Sequence, residues 1–170
     1  RLLGPEGRPE TLVGGLGRNL TEVDLGLVRV STPERRFDPP QPAHPADVYY
    51  GNLLHLLGYT LETGDEGRLR VTLYWQVLGS SDRKLKVSVQ LFDGPRLVAQ
   101  DDGVPVNWTR PASTWVPGEY LTDPHEVVLP PGAWPELLTM RVILYDEATG
   151  RRLGVTGPGA TGDAAAFALR

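Results

Sequence analysis

Four aromatic residues fall where side-chain chemistry would meet solvent. Trp108, Trp115 and Trp134, together with Tyr120, lie between the alternating apolar runs of the chain rather than inside them. Flat indole and phenol faces on a loop rim can stack on a sugar ring, whose axial C–H bonds form an apolar patch. These four are therefore the candidate ligand-binding residues. They also have a plainer use. In the phrase WVPGE (115–119) an indole can simply close the open end of a β-sandwich, burying roughly 150–250 Å². The sequence permits both uses, and capping is the commoner one.

The remaining reactive types are scattered. Asp93, Asp101, Asp102, Glu119, Asp123 and Glu126 are read in or beside loops. Two of them could serve a glycosidase, which needs a pair of carboxyls flanking the bond to be cut, but turn formation is the ordinary role of such residues. Loop carboxylates and carbonyls can also hold a structural Ca²⁺. The sequence commits to no metal and implies no cofactor. His44, His55 and His125 are the only imidazoles, and none has the H-x-x-x-H or H-E-x-x-H spacing of a zinc site. Ser31, Ser80, Ser81, Ser88 and Ser113 lack a G-x-S-x-G elbow or a neighbouring base. No cysteine is present, so disulfides, thiolate metal sites and thiol nucleophiles are excluded. No catalytic residue is assigned. Asn19-Leu20-Thr21 and Asn107-Trp108-Thr109 match the glycosylation triplet, an accidental match if the chain is bacterial.

Bulk properties narrow the partners. The 170 residues carry a net charge of −4, and the nearest thing to a basic cluster is the isolated pairs Arg35-Arg36 and Arg151-Arg152. Nucleic acid, which demands a basic face, is excluded as a partner. No window approaches the ~18–20 consecutive apolar residues of a membrane span. The sequence opens at Arg1 without an initiator methionine and reads as a piece of a longer protein.

The elements that must carry these residues are strands. LRVTLYWQV (69–77) alternates strictly, with Leu69, Val71, Leu73, Trp75 and Val77 on one face and Arg70, Thr72, Tyr74 and Gln76 on the other. KLKVSVQLFD (84–93) repeats the pattern, Asp93-Gly94-Pro95 turns it, and RLVAQDDG (96–103) returns as the second arm of a hairpin. VYYGNLLHLLGYTLE (48–62) reads as two strands, or one broken by a bulge at a glycine. HEVVLP (125–130), LLTMRVILYD (137–146) and a closing strand follow. DEATG (146–150) is expected to loop into a hairpin arm, RRLGV (151–155). Twenty glycines and sixteen prolines punctuate these runs, and no convincing helix appears. Strands with one wet and one apolar face require a second sheet to cover them. The expected fold is all-β, a two-sheet antiparallel β-sandwich of immunoglobulin-like or carbohydrate-binding-module-like (jelly-roll-like) kind.

Three segments are expected. Residues 1–30 hold a leading strand, VDLGLVRV (23–30), and echo the chain's end, as the tail of a preceding tandem unit would. Residues 31–47, with five prolines in TPERRFDPPQPAHPAD (32–47), form a crossing segment that cannot be a central strand. Residues 48–170 make the sandwich.

ADVYYGNLLHLLGYTLE, RLRVTLYWQVLGSSDRKLKVSVQLFD, WVPGEYLTD, VVLPPG and MRVILYDEATGRRLGV occur in a telling order. In that order the chain, over roughly residues 30–160, resembles the β-sandwich domain appended to bacterial multi-spanning membrane glycosyltransferases of the dolichyl-phosphate-mannose–protein mannosyltransferase type. The matched residues are turn and core residues. The resemblance implies a non-catalytic, extracytoplasmic accessory module attached to a membrane protein, with glycan, acceptor or neighbouring domains of the same chain as its partners. The catalytic acids of such enzymes belong to the membrane part, so none is carried over. Two alternatives stand beside this expectation. One is a structural or protein-interaction immunoglobulin-like domain without ligand; the other is a glycoside-active enzyme using loop carboxylates.

Overall fold

The computed structural model describes residues 34–169, together with a short antiparallel pair, β1 (Leu12–Val13) and β2 (Asn19–Leu20), in which Leu12 faces Leu20. The chain divides between Pro33 and Glu34 into two units. The expected strand at 23–30, and with it the echo of a tandem unit, lies outside the described residues.

From Glu34 onward the described residues form nine strands in two sheets. The first sheet holds β3 (His44–Tyr50), β4 (Leu54–Thr63), β5 (Arg68–Val77), β8 (Tyr120–Val128) and β10 (Val155–Thr156), in the order β10-β3-β4-β5-β8. The second holds β6 (Leu85–Asp93), β7 (Arg96–Gly103), β9 (Thr139–Asp146) and β11 (Ala165–Ala168), in the order β11-β9-β6-β7. All pairings are antiparallel. The only helical turns among the described residues are short 3₁₀ segments.

Period-two hydrophobicity explains the layers. Leu69, Val71, Leu73, Trp75 and Val77 of β5 are all buried, and meet Leu85, Val87, Val89 and Leu91 of β6 and Met140, Val142 and Leu144 of β9 in one core. Trp75 lies edge-on to Tyr50, ring centroids 5.2 Å apart, and the Tyr50 hydroxyl donates to the Val142 carbonyl at 2.8 Å, tying one sheet to the other. Burying an indole of this kind contributes about 4–6 kcal/mol by area.

The connectivity decides between the two expected sandwich types. β5 crosses to the β6–β7 hairpin, β8 returns beside β5, and β9 crosses again beside β6. Alternation between the run β4-β5-β8, which ends at the sheet's edge, and a facing row β11-β9-β6-β7 is the Greek-key succession of immunoglobulin-like domains.

Three boundaries differ from the sequence reading. First, β3 begins at His44, inside the Pro-rich segment. Pro45 is admitted because the register shifts between it and Val48, a place where a missing N–H costs no ladder bond. Its partner Gly58 has φ 149°, and a Cβ there would lie 2.3 Å from the His44 carbonyl oxygen, so the bulge requires glycine. Second, β8 starts at Tyr120, five residues earlier than expected, and takes Pro124 into an edge strand. Third, RRLGV pairs with β9 for a single bridge, Arg152 opposite Tyr145, where the Asp146 amide donates to Arg151 at 2.9 Å and the Leu153 amide to Leu144 at 2.8 Å. It then crosses to become β10, with Val155 opposite Tyr50.

Candidate functional site

One long connection, residues 104–119, carries two of the four aromatic candidates and closes the edge of the sandwich where β7 and β8, the outermost strands of the two sheets, meet. Its two halves are built differently.

The second half is sealed. Trp115 is 3% exposed, and its Nε1 donates to the Arg110 carbonyl at 2.9 Å. Glu119 is fully buried. It accepts from the Arg110 guanidinium, from Arg35 Nη1 at 2.9 Å and from the Val116 amide at 2.8 Å. Burial alone would raise the Glu119 pKa, but the two guanidinium groups and the amide outweigh it and hold the carboxyl below its ordinary value. The Glu119 carbonyl accepts from Val77 and the Gly118 amide donates back to it, both at 2.8 Å, so the turn is fastened to the end of β5. Trp115 therefore takes the capping role, not the ligand-contact role: its ring and its one donor are both satisfied inside the protein.

The first half is open and strained. Val106, Asn107 and Trp108 stand in succession at φ 59°, 50° and 65°. The left-handed region is costly for a β-branched residue such as Val106. The turn is closed by the Trp108 amide donating to Val104 at 2.9 Å and the Arg110 amide donating to Pro105 at 3.1 Å. It is pinned from below, where the Val106 amide donates to Asp123 Oδ1 at 2.6 Å. The result lifts Trp108 outward, 59% exposed. Its indole leans on Gly103, where a Cβ would sit 3.3 Å from Nε1, and Lys86 Nζ lies 4.6 Å from the ring centroid.

Beneath this turn lies a cluster that the sequence reading did not find. His125 Nδ1 is 2.7 Å from Asp101 Oδ2, and His125 Nε2 is 3.1 Å from Asp123 Oδ2. Asp123 Oδ2 also accepts from Trp75 Nε1 at 3.3 Å. His125 is 4% exposed. Burial would push its pKa down, but hydrogen bonds and charge from Asp101 and Asp123 outweigh that and raise it to about 9. The group is an imidazolium donating one N–H to each carboxylate. Strand alternation places it there: Leu121, Asp123, His125 and Val127 all face inward from β8, and Asp101, opposite Val89, faces inward from β7. The sequence signal was available in LTDPHEVV, whose inward set includes Asp123 and His125 once the strand is begun at Tyr120.

Together these parts frame a cavity of about 410 Å³ lined by Arg70, Asp101, Asn107, Trp108, His125 and Glu126. It offers an indole, a guanidinium, a carboxamide and carboxylates at one edge, the groups that hold hydroxyl pairs against an apolar ring. Its carboxylates are already paired, Asp101 with His125 and Glu126 with Arg68 at 2.5 Å. Asp101, Asp102 and Glu126 lie in strands, as expected, and Asp123, expected in the long loop before β8, lies in that strand too. Asp101 and Asp123 flank an imidazole rather than an open cleft. Among the described residues no group of three or more such side chains is placed to hold a metal ion.

The other two aromatic candidates lie elsewhere. Tyr120 is half-buried on the outer face of β8, its hydroxyl accepting from Gln76 Nε2 at 3.4 Å. Trp134, 66% exposed, follows β8 and shares a groove of about 420 Å³ with Asp93, Arg96, Leu97 and Leu137. Trp108 neighbours Lys86 and Trp134 neighbours Asp93, positions some 20–25 Å apart along β6 at the usual strand rise. The four aromatics thus form no single rim. Of the other imidazoles, His44 stacks on Tyr59 and His55 on Tyr49, centroids 4.8 and 4.1 Å apart.

No protein-family model matches the sequence, and none of the curated proteins matches it. Among solved structures, the chain is similar to a domain of the outer membrane lipoprotein Omp28 from Porphyromonas gingivalis. The two are 18% identical, the match covers 74% of this chain and 93% of that one, and the TM-score is 0.36. A likeness at that level transfers no residue role to this chain. No helix among the described residues is long and apolar enough to cross a membrane.

Proposed function

We propose that this chain is a non-catalytic accessory β-sandwich that contacts glycan through the cavity beneath Trp108, as an extracytoplasmic module of a membrane glycosyltransferase-like protein. The observation that carries the reading is an indole held outward by a strained turn, above a cavity whose carboxylates are already charge-paired. Backbone strain kept at an exposed aromatic residue is what a contact surface needs and a core does not. The parent context rests on the resemblance of the strand and turn phrases to domains appended to such enzymes. The test is calorimetric titration of the chain with neutral mannose- and glucose-containing oligosaccharides. Wild type binds, and Trp108→Ala loses about tenfold or more in affinity, the equivalent of one good stacking contact, with its thermal midpoint kept. Absence of binding by wild type across these sugars defeats the reading.

A second reading is favoured by a different observation. Leu97, Trp134 and Leu137 are exposed together at the far end of the sandwich, as suits a domain that packs against a neighbour in the same chain. If that is the module's whole role, Trp134→Ser alters association with the rest of the parent protein and sugar binding is absent from wild type.

A further inference from the structure

The outer face of the second sheet carries a groove that plays no part in the reading above. Ser88, Gln90, Gln100, Asp102, Tyr145 and Arg152 line a space of about 380 Å³, within the ~300–1,000 Å³ range of small-molecule sites. The register explains the grouping. Asp102, Ser88 and Ile143 stand in one cross-strand row over β7, β6 and β9, and Gln100 stands beside Gln90 in the next. The Gly150–Arg152 stretch walls the other side, with Arg152 bridged to Tyr145.

Two features separate this groove from an ordinary wet sheet face. Ser88 is 2% exposed, and its hydroxyl has no hydrogen-bond partner among the described residues. A buried hydroxyl left unpaired is destabilising, and a native protein keeps one for a reason. Ile143 is also buried although it points away from the main core, which gives the polar groove an apolar floor.

The chemistry narrows the occupant. The charged groups of the lining are one carboxylate, Asp102, and one guanidinium, Arg152, which balance, so neither an anion nor a cation is favoured. Two carboxamides, a phenol and a hydroxyl both donate and accept. A single aliphatic side chain is too little for an apolar peptide or a lipid tail.

We propose that this groove is a second site, separate from the Trp108 cavity, for a neutral polyhydroxylated ligand of monosaccharide size. The Ser88 hydroxyl, the Gln90 and Gln100 carboxamides and the Asp102 and Arg152 side chains hold its hydroxyls, and one ring face rests over Ile143. The site shares a ligand class with the Trp108 cavity but none of its residues, so either can fail alone.

The test is amide spectroscopy of the ¹⁵N-labelled chain, titrated to tens of millimolar with methyl α-mannopyranoside and methyl β-glucopyranoside, in wild type and in Ser88→Ala, Gln100→Ala and Trp108→Ala. The expected result is saturable shifts at Ser88, Gln90 and Gln100 that persist in Trp108→Ala. They weaken about fivefold or more in Gln100→Ala and Ser88→Ala, while the thermal midpoint of Ser88→Ala stays level or rises because an unpaired hydroxyl has been removed. Two results overturn the proposal. One is the absence of saturable shifts at these residues with either glycoside, which leaves the Ser88 hydroxyl to water alone. The other is shifts that survive Ser88→Ala and Gln100→Ala but vanish in Trp108→Ala, which puts all binding in the first cavity.

Discussion

Trp108 and Trp115 sit seven residues apart on one connection, yet one is 59% exposed and the other 3%. Their hydrophobicity is the same, so the difference lies in what surrounds them. Trp115 has a carbonyl for its N–H and stands beside an ion pair, Arg110 with Glu119, that fastens the turn under it. Trp108 has a glycine to lean on, a lysine over its ring, and a left-handed backbone whose Val106 amide is held by an aspartate. A buried indole is thus a matter of satisfied polar atoms as much as of apolar area, and an exposed one needs active support.

The comparison can be broken most forcefully on the sealed side. Glu119→Ala leaves Arg110 buried without its counter-charge and should cost about 3–5 kcal/mol in denaturant unfolding. Trp115→Ala should cost a similar amount, about 3–5 kcal/mol, through the cavity it opens. Unfolding of either at wild-type denaturant concentration would show that the corner is not sealed as described.

The open side is sharpened by alkali. His125 has its pKa raised from 6.5 to about 9 in the folded chain, so its contribution is complete below pH 6.5 and is lost as pH rises through 9. The size is of order 3 kcal/mol. Denaturant midpoints measured from pH 6 to pH 10 should fall accordingly, and His125→Gln should flatten the decline. A wild-type curve that is level over this range would contradict the imidazolium. Glu119 acts in the other direction. Its pKa lies below the ordinary 4.5, so its contribution is present above pH 4.5 and is lost as pH falls below it. The acid limb should disappear in Glu119→Gln.

The smallest expected effect is the most discriminating. Trp108→Ala should change stability by no more than about 1 kcal/mol, the worth of an exposed cation–π contact. A loss as large as that of Trp115→Ala would make Trp108 a capping residue too and remove the basis for a contact surface.

The fold was far more legible than the site. Leu69 to Val77 and Leu85 to Leu91 announce their buried faces by strict alternation, and the bulge at Gly58 is legible as a glycine within a strand pattern. Asp123 and His125 obey the same alternation, but Pro124 and the turn-like composition before it make the strand read as starting at His125, which leaves Asp123 in the loop. Trp134 and Trp108 look alike in sequence and lie at opposite ends of β6.

Local periodicity alone determined that this chain forms strands with one buried face, because the side-chain period of an extended backbone is two and needs no partner to be read. Tertiary structure decided which polar groups meet. Asp101 reaches His125 only because β7 and β8 end up as facing edges of different sheets, and the Ser88 hydroxyl is enclosed only once β9 and the Gly150–Arg152 stretch lie beside it. Burial of a face is a property of its own sequence, whereas pairing of a charge depends on residues far away along the chain, brought close by the packing of the whole sandwich.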